Sequence, residues 1–386
     1  MIDAQEVIRR CGLLAQCTEE PGHITRTYLS PPMWEVHRLV REWMEEAGLR
    51  VRVDAVGNIR GASTEGPRLL IGSHLDTVPH AGPYDGILGV MIGIALAEQR
   101  IAPLEVVGFS EEEGVRFGKP FIGSLALVGR PLKEEGILEA IRNYGLDPAE
   151  IPRAAIDGNA RGFLEFHIEQ GPVLENLKLP LGLVVTVAGQ SRVEVGFLGK
   201  ANHAGTTPMK YRRDALAAAA EWICFVERKA RDTEGLVATV GQLEVQSGAI
   251  NVIPGSVRAS LDVRHADDRI RVEALSTLEF AAQSFGQDRD VRVSWEERSN
   301  ERAVDLDDGM LDALAAATES LGHQPYRMVS GAGHDAMILA RNVPAAMLFL
   351  RSPGGISHHP GEAVQTGDVD VAMAVGAGFL ETWRPS

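Results

Sequence analysis

Apolar positions fall at helical spacing in the first fifty residues. In PPMWEVHRLVREWMEEAGL they occur at Met33, Val36, Leu39, Val40 and Met44, with Gly48 as a stop, and the helical reading covers residues 1 to about 48. The period then changes. RVRVDAVGNIRG alternates valine with polar residues and runs into an Asn-rich turn, which predicts a strand. RLLIGSH and LEVVGFS are continuous apolar runs that bracket GILGVMIGIALAE, from Gly86. That stretch contains a G-x-x-x-G at Gly89 and Gly93 but is shorter than the roughly 20 apolar residues a bilayer span requires. It predicts a buried helix packed closely on a sheet. Buried strands joined by a crossover helix imply an α/β sheet covered on both faces.

Further along, RGFLEFHIEQG predicts a strand ending at Gly171-Pro172, and LGLVVTVAGQSRVEVGFLGK predicts two more. RRDALAAAAEWICFVERKA is a helix, LVATVGQLEVQ and GSVRASLDVRH are strands, RIRVEALSTLEFAAQSFG is a helix and DVRVSWEER a strand. This ββαββαβ order suits an αβ sandwich of about 110 residues. From about residue 300 come the helix DGMLDALAAATESLG, the strands AAMLFLR and GGISHHPGEAV, and a last helix from Asp368. The expected fold is α/β: a mixed-sheet catalytic domain covered by helices (1–189 and 299–386) with an inserted α+β sandwich domain (190–298).

Length agrees with two domains, since 386 residues exceed what one core usually organises. A formal charge of −15, with no dense Lys/Arg block, argues against nucleic acid and anionic membrane as partners. A small anion can still bind where a cation or a few arginines reverse the sign locally. Cys11, Cys17 and Cys224 are too sparse for a disulfide framework, and the N-terminus carries acidic residues where a signal peptide needs a continuous apolar stretch. A reducing, cytoplasmic location is the expectation.

In open α/β sheets, strand ends deliver functional groups into the loops that follow. After LLIGS come His74, Asp76 and Asp85; after VVGFS come Glu111, Glu112 and Glu113; FLEF delivers His167, and GGIS delivers His358 and His359. Imidazoles and carboxylates without thiolate form the ligand set of a hydrolytic Zn²⁺, Mn²⁺ or Co²⁺ site. Five or more candidates suggest two metals sharing a bridging carboxylate. Of adjacent glutamates, one can ligate while the other handles a proton. Asp76 can accept the second ring N–H of His74. Each residue alone has a plainer reading, as a loop histidine or a solvated acidic turn; their joint placement after apolar runs weakens it.

In order along nearly the whole chain, GSHLDTV, YDGILGV, EEGVRF, HIEQGPVLE, NHAGTTPM, RRDALAAAAE, INVIPG, SGAGHDA and SHHPGE make the sequence resemble the dinuclear-metal amidohydrolases of the aminoacylase and carboxypeptidase superfamily. The narrower resemblance is to the group of allantoate amidohydrolase, N-carbamoyl-L-amino acid hydrolase and β-ureidopropionase. It implies His74 and His167 on one metal, Glu113 and His358 on the other, Asp85 bridging, and Glu112 as general base. His358 is preferred to His359 because the family pattern places a glutamate four positions later, here Glu362. The resemblance also implies that His203 stabilises an oxyanion in the partner subunit's site, that Asn251 and Arg264 pair on a substrate carboxylate, and that Gln170 contacts the ureido group. The inserted domain would then act as a lid and as the interface of a homodimer.

The implied reaction is metal-dependent hydrolysis of a ureido C–N bond in a small anionic substrate. Allantoate is favoured, in purine catabolism with release of ammonia and carbon dioxide; N-carbamoyl-L-amino acids or β-ureidopropionate are the alternative. A serine hydrolase is discounted because GFSEE lacks the final glycine of G-x-S-x-G. A non-catalytic metal-dependent binding protein would predict a broken catalytic set, whereas Glu112 is present.

Overall fold

The computed structural model describes residues 2–246 and 248–383. The chain forms two compact units, one of 1–185 and 305–386, the other of 186–304. In chain order the strands are β1 (Arg50–Val53), β2 (Ile59–Ala62), β3 (Arg68–His74), β4 (Leu104–Phe109), β5 (Ala160–Ile168), β6 (Leu181–Val187), β7 (Gly189–Leu198), β8 (Asn202–His203), β9 (Val237–Thr239), β10 (Leu243–Gln246), β11 (Val252–Ile253), β12 (Ser256–His265), β13 (Arg292–Glu301), β14 (Val304–Asp305), β15 (Arg327–Ser330) and β16 (Ala345–Leu350).

Among the described residues the larger unit holds a nine-stranded sheet, β1-β2-β4-β3-β5-β16-β6-β14, with β15 also on β6. β4, β3, β5 and β16 run parallel, while β1, β2 and β6 are antiparallel to their neighbours. Parallel strands covered on both faces need continuous apolar runs, and β3, β4 and β16 are buried throughout. Helix Ile87–Glu98 lies on this sheet with Ile87 through Ala97 all buried. Gly89 permits the contact: a Cβ there would stand 2.1 Å from the Phe166 carbonyl oxygen of β5. The G-x-x-x-G is therefore a helix-on-sheet packing device, and no helix among the described residues is long and apolar enough to cross a membrane.

The smaller unit carries an antiparallel sheet, β10-β12-β7-β13 with β9 on β12. β7 and β12 alternate buried with less buried positions, so one face packs. Helices Ala215–Arg231 and Asp268–Asp288 contribute to its core around Phe197, Trp222, Leu261 and Leu278. Trp222 is fully buried and donates its indole N–H to the Leu278 carbonyl at 3.0 Å.

Three sequence expectations change. LGLVVTV is β6 of the large sheet, paired with β16, and is not part of the second unit's sheet. LVATVGQLEVQ splits into β9 and β10. GGISHHPGEAV is a loop with a 3₁₀ turn, because Gly354, Gly355 and His358 take positive φ of 71°, 65° and 54°, which a strand excludes.

Candidate metal centre at the strand ends

The loops that follow β3, β4, β5 and β16 bring the predicted ligands together. His74 ends β3, and the loop after it reaches Asp85 under three constraints. Buried Arg26 donates Nε to the Leu75 carbonyl at 2.7 Å and Nη1 to that of Leu14 at 2.8 Å. Thr77 N–H donates to the Arg26 carbonyl at 2.8 Å. The Tyr84 and Asp85 N–H groups donate to Glu362 Oε1 at 2.8 and 3.0 Å. Gly86 then turns at φ 71°, and a Cβ there would sit 2.5 Å from the His74 ring. Only glycine fits that corner.

Asp85 presents one oxygen to each of two ligand groups. Its Oδ1 lies 3.1 Å from His167 Nε2 and 3.7 Å from His74 Nε2. Its Oδ2 lies 3.2 Å from His358 Nε2, which is 3.4 Å from Glu113 Oε1. Both buried imidazoles are fixed from behind: His74 Nδ1 is 3.0 Å from the Asp76 carbonyl oxygen and His167 Nδ1 is 2.9 Å from that of Ile168. A carbonyl can only accept, so each Nδ1 carries the proton and each Nε2 is left to ligate. Asp85 Oδ1 is buried without a hydrogen-bond partner, an arrangement that ordinarily costs about 1–3 kcal/mol. The residues present fit divalent cations: His74, Asp85 and His167 form one ligand group, Asp85, Glu113 and His358 another.

The Asp76 expectation is corrected. Its carboxylate is 3.7 Å from His74 Nδ1, beyond hydrogen-bond range, and instead accepts the N–H groups of Glu112 and Glu113 at 3.0 and 3.1 Å. Asp76 orients His74 through its main chain and the glutamate pair through its side chain.

Negative charge dominates the site. Burial, reinforced by Glu113, Asp335 and Asp76 against the opposing pull of His74, holds the Glu112 carboxyl well above the usual range. Glu111, at φ 54°, turns away to accept N–H groups of Tyr28 and Arg116 at 3.2 and 2.9 Å, and burial raises its carboxyl to about 8. The Asp85 and Glu113 carboxylates push the His358 imidazole to about 10. Burial would lower the His74 imidazole, yet Asp85, Glu112 and Asp76 hold it well above its usual range. A centre that draws protons this strongly is one in which cations can take their place.

Gln170 joins the group, with φ 58° and its amide donating to Asp85 Oδ2 at 3.0 Å. His359 does not; its Nδ1 accepts the Gly361 N–H at 3.0 Å. His203, Asn251 and Arg264 belong to the other unit. His203, on β8, is exposed and pairs with Val252. Asn251 immediately precedes β11, and Arg264 lies near the end of β12. The β7–β12 ladder runs from Gln190–Arg264 to Leu198–Ser256, and Asn202–Ile253 and His203–Val252 form a separate two-stranded sheet. Along β12, Arg264 stands about 26 Å from Ser256 at 3.3 Å per residue. Arg264 pairs with Asp262 at 2.7 Å.

Several contributors escaped the sequence reading. Buried Glu165, inside β5, accepts from Ser73 Oγ and from the Ala336 N–H, both at 2.8 Å, tying β3 and β5 to the GAGHDA loop. His334, in that loop, lies with its ring 4.5 Å from that of His167. Asp335 buries both carboxylate oxygens without a hydrogen-bond partner. The available signal was a charged residue inside an apolar run and an adjacent His-Asp pair in a glycine loop.

Residues 70–382 match the model of Peptidase family M20/M25/M40. An N-carbamoyl-L-amino acid amidohydrolase of Geobacillus stearothermophilus is 38% identical, covering 98% of this chain and 97% of its own. An allantoate deiminase of Arabidopsis thaliana is 36% identical over 98% and 82%. A solved amidase of the hydantoinase/carbamoylase family from Burkholderia multivorans has a TM-score of 0.90 and 29% identity, covering 99% of this chain and 98% of its own. The chain belongs to Peptidase family M20/M25/M40, within the group of N-carbamoyl-L-amino acid amidohydrolases and allantoate deiminases.

Proposed function

We propose that the protein is a binuclear metal-dependent amidohydrolase that cleaves a ureido C–N bond of a small carboxylate-bearing substrate, with allantoate as the first candidate. The observation that carries this reading is Asp85, whose two oxygens face separate ligand groups with buried Glu112 nearby. His74 and His167 would hold one ion, Glu113 and His358 the other, and Asp85 both. Zn²⁺, Mn²⁺ and Co²⁺ all suit this donor set. Such ions, when bound, polarise a carbonyl and lower the pKa of an attacking water towards about 7.

The chain's own groups do the rest. Glu112 takes the proton of the attacking water and delivers it to the departing nitrogen. Its neighbour Asp76 keeps it in register by holding both glutamate N–H groups. Gln170 orients the ureido group. His203 Nδ1 accepts two backbone N–H groups, from Gly205 and Thr206 at 3.0 and 3.2 Å, which places its proton on Nε2 as a donor suited to an oxyanion.

Asn251 and Arg264 would grip the substrate carboxylate. His203 would come from a homodimer partner. Cytoplasmic purine catabolism would be the setting. The 38% identity to a carbamoylase favours N-carbamoyl-L-amino acids as the second reading.

The test is chelator-stripped protein restored with Mn²⁺ or Zn²⁺ and assayed for ammonia and amine release from allantoate beside a panel of N-carbamoyl-L-amino acids. A higher kcat/KM for allantoate supports the first reading. A higher value for a carbamoyl-amino acid replaces it with the second, and no metal-dependent release from either overturns both.

A further inference from the structure

A second group of metal-ligating side chains stands outside the strand-end centre. Glu20, His23 and His80 each offer a ligand atom, and these atoms lie within 4.8 Å of one another. His80 Nε2 is 3.0 Å from Glu20 Oε2, and the His23 and His80 rings stack with centroids 4.1 Å apart and planes at 17°. All three side chains are exposed.

The backbone around them is fixed. Thr18 Oγ1 accepts the N–H groups of Glu20 and Thr25 at 3.2 and 3.0 Å, and lies 2.7 Å from the His23 carbonyl oxygen. His80 adopts φ 57° and donates its N–H to Thr25 Oγ1 at 3.1 Å, while Ala81 N–H reaches the Ile24 carbonyl at 2.8 Å. Two chain segments are thus held side by side with their ligand atoms converging.

We propose that Glu20, His23 and His80 bind a further divalent cation of the borderline class, Zn²⁺, Co²⁺ or Ni²⁺. Two imidazoles and one carboxylate are the donor set such ions prefer, and they leave positions for water. One dication can satisfy both imidazoles and the carboxylate together. The exposed side chains have the rotamer freedom to fan the rings apart and aim one nitrogen each at the ion. The ion ties the segment around Glu20–His23 to the loop that reaches Asp85 five residues after His80. This site does not depend on the strand-end centre.

The test uses the full chain stripped with chelator, then dialysed against micromolar free Zn²⁺, for wild type, His80→Asn and His23→Gln. Asparagine tolerates the left-handed conformation at position 80, and His23→Gln alters no positive-φ residue. The wild type is expected to retain one equivalent of zinc more than either variant, with a larger zinc-induced rise in thermal midpoint. Equal zinc content in all three proteins would overturn the proposal.

Discussion

The two ends of β3 and β4 bury charge in opposite ways. At their starts, Glu105 lies between two arginines, with Arg60 Nε and Arg68 Nε each donating to it at 2.6 Å. Arg60 also reaches the Ala154 carbonyl at 2.7 Å, and Arg68 pairs with Asp157 at 3.2 Å. At their far ends, Asp76, Asp85, Glu112 and Glu113 meet imidazoles, N–H groups and the Ser357 hydroxyl, and Asp85 Oδ1 has no hydrogen-bond partner among the described residues. Glu105 and its arginines, like Asp76, Asp85 and Glu112, are withdrawn from water. One end is closed by the protein's own cations, which is what stability requires. The other keeps a surplus of carboxylate, which makes it a place for metal ions and proton transfer.

The contrast predicts different failures at the two ends. Glu112→Gln is expected to cut kcat by about 10³-fold, within the range for loss of a general base, while metal content and thermal midpoint stay near wild type. Retained turnover would remove Glu112 from the chemistry. Glu105→Gln is expected to do the reverse, leaving two buried guanidinium groups short of a charge and costing about 3–5 kcal/mol in urea unfolding, with kcat per folded molecule unchanged.

A buried histidine away from both ends sharpens the comparison. Burial and nearby Arg41 lower the His37 imidazole from 6.5 to about 4. The folded state therefore prefers the neutral ring, so its contribution is present above pH 6.5 and is lost as pH falls through 4. The loss is on the order of 3 kcal/mol, read as a steeper fall in thermal midpoint over that window for wild type than for His37→Gln. The smallest effect is expected at Asp76→Asn, where one carboxylate oxygen that accepts a backbone N–H is replaced by a donor. A drop of about 10-fold in activity or metal affinity follows the usual cost of losing a ligand's supporting contact, measured as kcat/KM against metal concentration.

How much of this was legible depends on where each residue sits relative to an apolar run. His74, Asp85, Glu112, Glu113 and His167 end or follow runs that read as buried strands, so the sequence places them at one sheet edge, whereas His358 lies in a segment read as a strand that is a loop. Glu165 is hidden inside such a run, at a position the pattern gives to the core. The aim of the Asp76 carboxylate depends on where the Glu112 main chain passes, which no local pattern encodes. β6 was grouped with β7 because it adjoins it in sequence, although long-range pairing assigns it to the large sheet.

The central claim is that Asp85 bridges two ions at the ends of β3, β4, β5 and β16. Anomalous diffraction from crystals grown with Mn²⁺ or Zn²⁺, collected at the metal edge, tests it most directly. The account predicts two peaks flanking the Asp85 carboxylate about 3.5–4 Å apart, one beside His74 and His167 and one beside Glu113 and His358. A single peak, or none touching Asp85, would contradict it.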